Sequence, residues 1–517
     1  MIEINRPAPA DTFRLQDRQR AYYWSGLARS LFASHGIISA VDAWEVPDSE
    51  HRISGGSRLI LRNTALDAGG PEEVLMLEAP LHTDTASLIK APPRNCEYVE
   101  QATLLDRNGR PVGRVHRQRI RVRTPERDII RYESKDPLWR QNTFPVELWP
   151  EDDEILARLD LGGGQVIPAV IRSGRVLVFC FPIFDIAGGW LAFPPLEQRY
   201  AGIEGGSAPM EALRFCLALA EEHHLAFADT PMVCALPYPE GFSCAFSVRH
   251  DYDRKVDNEG WRQLMEFYDC HGIRASFGIL SYLMPQNVLD LIEERGHEIQ
   301  LHCFAHDELE LRRQAALLQR HICQPLDGVT IHGGPAGIGY RGNIHLEFFE
   351  RAGFSITEAF GIRDVTAVPV ARITDGVPMT TANLMAPPFH VSLDGSTRPG
   401  DHRLDRLVKD IPDILRSGGY AVLMNHPDIH REALIELIEA LDMDDCWKTT
   451  VRDAMRFARA SRFRARVRHL LIGHQIVIGE PLEHNCIFRV RQRTTSDQSV
   501  KIIAGQRTTV IPEQKGL

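Results

Sequence analysis

The stretch that decides the fold is Gly296-His-Glu-Ile-Gln-Leu-His-Cys-Phe-Ala-His306, in which a predicted strand ends at Leu301, directly before the second of three histidines. A helical pattern precedes this stretch and stops at Gly296, where the left-handed backbone that ends many helices suits glycine. The same alternation of apolar run and helical pattern recurs from about residue 242 onward, at spacings of roughly 25–40 residues. The apolar runs end at Val248, Ile279, Leu301, Ile331, Ile356, Leu384 and Met424. This alternation predicts parallel strands covered by helices, and seven or so units over roughly 220 residues favour a (β/α) barrel over an open sheet.

Acidic residues and histidines follow three of these predicted strands. The first strand leads into Asp251-Tyr-Asp253, the third into His302-Cys-Phe-Ala-His306, and the last into His426. Because a barrel gathers the carboxyl ends of its strands at one rim, we expect these side chains to lie close together.

Two carboxylates and three imidazoles at one rim suit a metal-dependent hydrolase. Two histidines and one carboxylate form a facial set of ligands that leaves positions on a metal open for water and substrate. A second carboxylate could accept a proton from water, and a histidine on the opposite side could protonate a leaving group. The helical zinc-protease motif does not apply, since His297 and His302 are five residues apart on a predicted strand.

These residues resemble the motifs of the polysaccharide deacetylases, the NodB homology domains of carbohydrate esterase family four. His302-Cys-Phe-Ala-His306 is a close match to the second motif of that family, His-Ser/Thr-x-x-His. Phe246-Ser-Val-Arg-His-Asp-Tyr-Asp253 is similar to a His-Asp-x-Asp variant of the first motif, and Val422-Leu-Met-Asn-His426 resembles the last. Gly333-Gly-Pro-Ala-Gly337 fits the third motif, Arg-x-Pro-x-Gly, apart from its first position. The resemblance covers roughly residues 240–460, with the order and spacing of the motifs preserved.

The resemblance implies roles for five of these residues. His302 and His306 would bind a divalent metal, with zinc as the expected ion, together with an aspartate of the first motif. Asp251 matches the general base of the family and Asp253 its metal ligand, but the inserted Tyr252 leaves open which carboxylate has which role. His426 matches the general acid.

The third motif departs from the family pattern, because Gly333 stands where an arginine normally holds the catalytic base. His332 and Arg341 are the candidates for taking over that base-orienting role. Pro335 begins the loop that is expected to contribute a backbone N–H to the substrate.

Composition excludes several classes of protein. The 517 residues are 44% hydrophobic and 25% charged, as in a globular protein of two to four domains. A net charge of −10 argues against a general nucleic-acid binder, and the ten cysteines form no Cys-x-x-Cys pair that would indicate a zinc ribbon. The N-terminus has no apolar signal segment, and the apolar run from Val176 to Phe184 is too short to span a bilayer. We therefore expect a cytoplasmic protein without a transmembrane segment.

Three regions are predicted within an α/β fold class. A distorted (β/α) barrel of the deacetylase type occupies residues 236–462. An N-terminal mixed α/β domain of unknown role, residues 1–235, precedes it, and a small β-rich C-terminal appendage, residues 463–517, follows it.

The predicted function is that of a metal-dependent hydrolase that removes an N-acetyl group from an amino sugar in a glycan or glycan precursor. In this scheme Asp251 activates water at the metal and His426 protonates the amine. Two alternatives stay open: a hydrolase of another C–N bond in a small molecule, of the allantoinase-like kind, and a non-catalytic glycan-binding relative. The expected partner is an N-acetylated sugar or glycan precursor, nucleic acid is not expected, and assembly into a homo-oligomer stays open.

Overall fold

The described part of the protein is a mixed α/β structure that contains five β-sheets. The computed structural model describes residues 2–4, 32–33, 36–38, 59–62, 74–78, 95–116, 144–149, 153–184, 186–187, 208–228, 231–252, 258–280, 284–305, 307–332, 346–357, 368–374, 377–386, 411–426, 431–469, 474–492 and 495–511. Within these ranges no helix combines the length and the apolar character that crossing a bilayer requires.

The N-terminal half is built on an eight-stranded mixed sheet. The described strands of this half are β1 (Ile2–Ile4), β2 (Leu59–Arg62), β3 (Val74–Glu78), β4 (Asn95–Val99), β5 (Gln101–Asp106), β6 (Pro111–His116), β7 (Phe144–Leu148), β8 (Glu154–Asp160), β9 (Val166–Ser173) and β10 (Val176–Phe179). The sheet has the order β1-β2-β3-β10-β9-β8-β5-β6, while β4 and β7 form a separate antiparallel pair. Helix α1 (Ala208–Phe227) packs against β6 and buries Leu213 and Leu217.

The second half contains the strands that carry the predicted site. They are β11 (Met232–Ala235), β12 (Cys244–Tyr252), β13 (Ser276–Ile279), β14 (Glu298–Cys303), β15 (Gly328–Ile331), β16 (Ile356–Thr357), β17 (Val368–Thr374), β18 (Val377–Ala386), β19 (Tyr420–Asn425) and β20 (Cys446–Lys448). All but β11 form one sheet in the order β17-β18-β16-β15-β14-β13-β12-β19, with β20 also paired to β12. The neighbours are parallel except for β17 and β18, which form an antiparallel hairpin.

Helices connect the successive parallel strands, as the alternation in the sequence predicts. They are α2 (Asn258–His271), α3 (Gln286–Glu294), α4 (Glu308–Gln319) and α5 (Leu346–Arg351) between β12 and β16, and α6 (Arg431–Glu439) before β20. Gly296, predicted to end a helix, has a φ of +73° after α3, which confirms that prediction. The predicted barrel is present as a curled sheet, because β17 and β19, at its two edges, are not paired with each other within the described residues.

The two faces of this sheet have different partners. On the outer face, His250 of β12 packs against Tyr268 of α2 and stacks on Phe277. The opposite face, which we call the inner face, carries Ser247, Arg249, Asp251, Ser276, Gly278, Glu298, Gln300, His302 and Thr330. Since both faces are covered, all nine residues of β12 are buried, as in other central parallel strands.

Helix α7 (Val451–Ala458), which continues into a π-helix at Arg459–Phe463, begins against the inner face. The backbone N–H of Val451 donates to Ser276 Oγ over 2.9 Å, and that of Arg452 donates to Glu298 Oε2 over 2.9 Å. These bonds satisfy N–H groups at the first turn that have no partner inside the helix. The first turn of α7 is therefore anchored to β13 and β14.

The C-terminal strands join the rest of the fold. They are β21 (Arg466–His469), β22 (His474–Val477), β23 (Cys486–Gln492), β24 (Thr495–Ile502) and β25 (Thr508–Ile511). Strands β21, β22 and β25 form one antiparallel sheet, and β11, β23 and β24 form another. Because β11 precedes residue 236 and β23 follows residue 463, two of the three predicted regions share a sheet. The predicted domain boundaries stay a prediction.

Candidate active site at the carboxyl ends of the parallel strands

Four of the predicted site residues fall in the described part of the chain, and the structure places each of them at or just after the carboxyl end of a parallel strand. They are Asp251 on β12, His302 on β14, His332 after β15 and His426 after β19. The other four, Asp253, His306, Pro335 and Arg341, lie outside the described residues and stay predictions.

Asp251 is a buried carboxylate whose two oxygens have different surroundings. Its Oδ2 accepts a hydrogen bond from Arg249 Nη2 over 2.8 Å, and the two side chains are only 5% and 3% exposed. Its Oδ1 has no hydrogen-bond partner among the described residues and lies 3.8 Å from His302 Nδ1. A buried oxygen without a partner is costly in a closed core, so this atom is the part of the site most suited to water or substrate.

His302 is buried and both of its ring nitrogens have neighbours. Nδ1 is 2.7 Å from Thr330 Oγ1, while Nε2 is 3.2 Å from His332 Nδ1. The two imidazole planes are inclined at 80°. Two nitrogens that bind one zinc ion tetrahedrally are about 3.3 Å apart, so the spacing of these two rings suits a shared cation as well as a hydrogen bond.

Gly278 of β13 makes room between the strands that carry Asp251 and His302. A Cβ at this position would lie 2.8 Å from Thr330 Oγ1 and 3.2 Å from Asp251 Oδ1. The first distance is shorter than real Cβ contacts, so a side chain here would displace one of these groups. The glycine therefore lets Asp251 and the His302–Thr330 pair approach each other across β13.

The outer edge of the site is formed by Phe304 and His332. The Phe304 ring is 36% exposed and lies 5.4 Å, centroid to centroid, from the ring of His332. Its backbone is fixed by Gln314 of α4, which accepts from Phe304 N and donates to Phe304 O, each over 3.1 Å. An exposed aromatic ring therefore lies on a fixed segment next to the histidines.

His426 lies on the β19 side of the site. It is half-buried and directly follows Asn425, which is opposite His250 in the parallel register of β12 and β19. Burial lowers the pKa of His250 to about 3, and the charges of His297 and His426 contribute in the same direction. His426 is thus close enough to β12 to act electrostatically on the residue next to Asp251.

A hydrogen-bonded cluster on the inner face extends from the site towards α7. Glu298 is fully buried and accepts from Ser276 Oγ over 2.6 Å, from Gln300 Nε2 over 2.8 Å and from Arg452 N over 2.9 Å. Burial raises the pKa of this carboxyl, which the neighbouring Arg452 and the hydrogen bonds oppose. Glu298 therefore stabilises the strand that carries the site, four residues before His302.

Within the described residues no three histidine, cysteine, aspartate or glutamate side chains form a group that could hold a metal ion. Of the ligands that the resemblance implies, His302 lies among the described residues, whereas Asp253 and His306 lie outside them. Imidazole and carboxylate groups are the usual ligands of catalytic zinc. The imidazole of His302 is therefore a suitable ligand for the predicted metal.

Sequence reasoning missed three residues that shape the site: Arg249, Gly278 and Thr330. The signal for Arg249 was present, since residues i and i+2 of a strand lie on one face and a cation two positions before Asp251 must approach it. Gly278 and Thr330 could not be found this way, because their roles depend on the register between neighbouring strands.

No protein-family model and no curated protein matches the chain. Part of the chain resembles solved structures of polysaccharide deacetylases and related esterases. A Mycobacterium smegmatis protein with a provisional polysaccharide deacetylase name is 18% identical, with a TM-score of 0.34 over 44% of this chain and 93% of its own. The peptidoglycan deacetylase PdaC from Bacillus subtilis is 16% identical, with a TM-score of 0.26 over 43% of this chain and 92% of its own. A family 4 acetyl xylan esterase from Clostridium thermocellum, in complex with a cobalt ion, is 11% identical, with a TM-score of 0.27 over 41% of this chain and 91% of its own.

These structural neighbours belong to the family that the sequence motifs resemble. The likeness is confined to less than half of this chain.

Proposed function

We propose that the protein is a metal-dependent hydrolase that removes an N-acetyl group from an amino sugar in a glycan or glycan precursor. The observation that carries the proposal is the carboxylate of Asp251. One of its oxygens is held by Arg249, and the other has no partner among the described residues and faces His302. A fixed, buried carboxylate with one oxygen available is what a general base requires.

The metal would be held by His302 together with Asp253 and His306, as the resemblance implies. A bound divalent cation, with zinc as the expected ion, would polarise the acetyl carbonyl and make water more acidic. Thr330 Oγ1, 2.7 Å from His302 Nδ1, would orient the ring so that Nε2 is presented to the metal.

The protein's own groups would move two protons. Asp251 Oδ1 would accept the proton of the attacking water, and His426 would donate a proton to the sugar nitrogen as the C–N bond breaks. Amides need this second proton because a neutral amine is a far better leaving group than an amide anion. Positioned acids and bases of this kind contribute about 10²–10⁴-fold to rate.

The proposal is tested by incubating the zinc-loaded protein with N-acetylated amino sugars as monosaccharides, oligosaccharides and nucleotide-linked forms. We expect acetate and free amine in equal amounts from at least one of these compounds, loss of turnover on chelation, and recovery when zinc is added back. Ammonia or a carbamoyl product without acetate would instead favour a hydrolase of another C–N bond. Zinc-loaded protein that binds a glycan and releases no product would favour the non-catalytic alternative.

A matched pair of histidine variants tests the assignment of the metal site. His302→Ala should lose both bound zinc and turnover, because it removes a proposed ligand. His321→Ala changes an exposed histidine at the end of α4 and should retain both. Zinc is measured by elemental analysis of the dialysed proteins, so binding is read independently of activity.

A further inference from the structure

Asp251 is held by an arginine of its own strand. Arg249 and Asp251 are two positions apart on β12, so their side chains lie on the same face, and Nη2 of the first meets Oδ2 of the second over 2.8 Å. Both side chains are nearly inaccessible, with 3% and 5% exposure. A charge-assisted bond between buried groups is stronger and better fixed than a pair at the surface, because water competes for neither partner.

The third motif of the chain lacks the arginine that would otherwise hold the catalytic base. Gly333 occupies the position at which the resembled family has the arginine that holds the base, and glycine has no side chain with which to replace it. Of the two substitutes that the sequence suggested, His332 has its Nδ1 against His302 Nε2, at 3.2 Å. Arg341 lies outside the described residues.

We infer that Arg249 is the residue that positions the general base. In this chain the base-holding arginine would thus belong to the first motif instead of the third. This inference rests on the proposed function, since it assigns a role around Asp251 in that reaction. By occupying Oδ2, Arg249 leaves Oδ1 as the oxygen that accepts the proton. Oδ1 is also the atom that lies 3.8 Å from His302 Nδ1 and that a Cβ at Gly278 would approach to 3.2 Å.

The surroundings of the pair favour a fixed geometry. Arg249 is opposite Ser276 in the register with β13, and Ser276 is bonded to Glu298 and to the first turn of α7. Asp251 is opposite Gly278 in the same register. The arginine thus comes from a fully buried strand of the sheet.

Kinetics of Arg249 variants test the inference. Arg249→Met and Arg249→Gln remove the cation, and we expect kcat to fall about 100-fold because the base is no longer held in place. KM should stay within about twofold, since Arg249 is not proposed to touch the substrate. Arg249→Lys restores the charge without the planar fork, and kcat should recover to within about tenfold of the wild type. Arg262→Met, which breaks an exposed pair with Glu259, is the matched control and should change neither constant.

A double-mutant cycle separates this inference from the proposed function. The unfolding midpoints of Arg249→Met, Asp251→Asn and the double variant require no substrate, so they test the pair even if no compound in the panel is hydrolysed. We expect the double variant to lose less stability than the sum of the single losses. Additive losses of stability would overturn the inference. So would Arg249→Met and Arg249→Gln variants that keep kcat within about threefold of the wild type at an unchanged zinc content. If Arg249→Met does not fold, Arg249→Gln takes its place in both measurements.

Discussion

At the scale of single residues, the site depends on one position without a side chain. Gly278 lies on β13 between the strand of Asp251 and the strand of His302, and its missing Cβ leaves space for Asp251 Oδ1 and Thr330 Oγ1. Its backbone is not in the left-handed region, so the requirement for glycine is one of space and not of conformation. A single methyl group at this position should therefore disturb the site directly.

We expect Gly278→Ala to lower kcat at least tenfold and to destabilise the fold by about 1–3 kcal/mol, because the added methyl overpacks a buried region. Acetate release and urea unfolding measure the two effects. The double variant Gly278→Ala/Thr330→Ala removes the nearer contact atom and should recover part of the lost stability. An alanine variant with wild-type kcat and wild-type stability would show that the space is not needed.

At the scale of elements, the interface between the sheet and α2 contains two buried histidines. His250 is 2.5 Å from Tyr268 Oη, and His297 packs edge-on against Tyr268 and Phe277. Burial lowers the pKa of His297 to about 4, and the charges of Arg274 and Arg295 act in the same direction. Both histidines are therefore neutral in the folded protein at neutral pH.

This arrangement predicts acid-sensitive stability. Between pH 6.5 and about 4 the unfolded chain protonates His297 while the folded protein does not, so the free energy of unfolding falls as the pH falls. His297→Asn keeps an acceptor near the N–H of Ala275 and removes this titration. Its stability should depend less steeply on pH in that window, by up to about 1.4 kcal/mol per pH unit.

Urea unfolding at several pH values measures the slope for the wild type, for His297→Asn and for His321→Asn. The exposed His321 variant is the control and should follow the wild type. Equal slopes for the wild type and His297→Asn would contradict the assignment of a neutral, buried His297.

At the scale of the whole molecule, the C-terminal strands are continuous with the core of the sheet that bears the site. Phe488 and Ile502 are buried in the same apolar cluster as Ala245 and Tyr420 of the curled sheet. Strand β23 also pairs with β11 from the region before the sheet. Segments that precede and segments that follow the parallel strands in the sequence therefore both contribute to the structure around the site.

Much of this fold could be predicted from the sequence because its strands and helices correspond to local patterns of apolar and polar residues. The alternation of apolar runs and helical patterns from β12 to β16 reflects buried parallel strands and amphipathic helices, and Asp251 and His302 could be found because they follow such runs. Two features could not be predicted: among the described residues β17 and β19 are not paired with each other, and β11 pairs with β23. Both depend on pairing between residues that are distant in the chain.

The candidate site could be predicted in part, for the same reason. Its acidic and histidine residues are local motif signals, whereas its fine geometry comes from contacts between strands. The bond between His302 and Thr330 joins residues 28 positions apart, and the contact of His302 with His332 joins residues 30 positions apart. The third motif predicts His332 or Arg341 as the residue that orients the base, while the structure pairs Asp251 with Arg249 of the first motif.

The most direct test of the central proposal is the turnover of Asp251→Asn, measured as acetate and free amine from an N-acetylated amino sugar that the wild type hydrolyses. Asparagine has nearly the same shape and cannot act as the base. We predict that kcat falls by about 10²–10⁴-fold while the zinc content stays that of the wild type. A variant with bound zinc and a kcat within about threefold of the wild type would contradict the assignment of Asp251 as the group that accepts the proton.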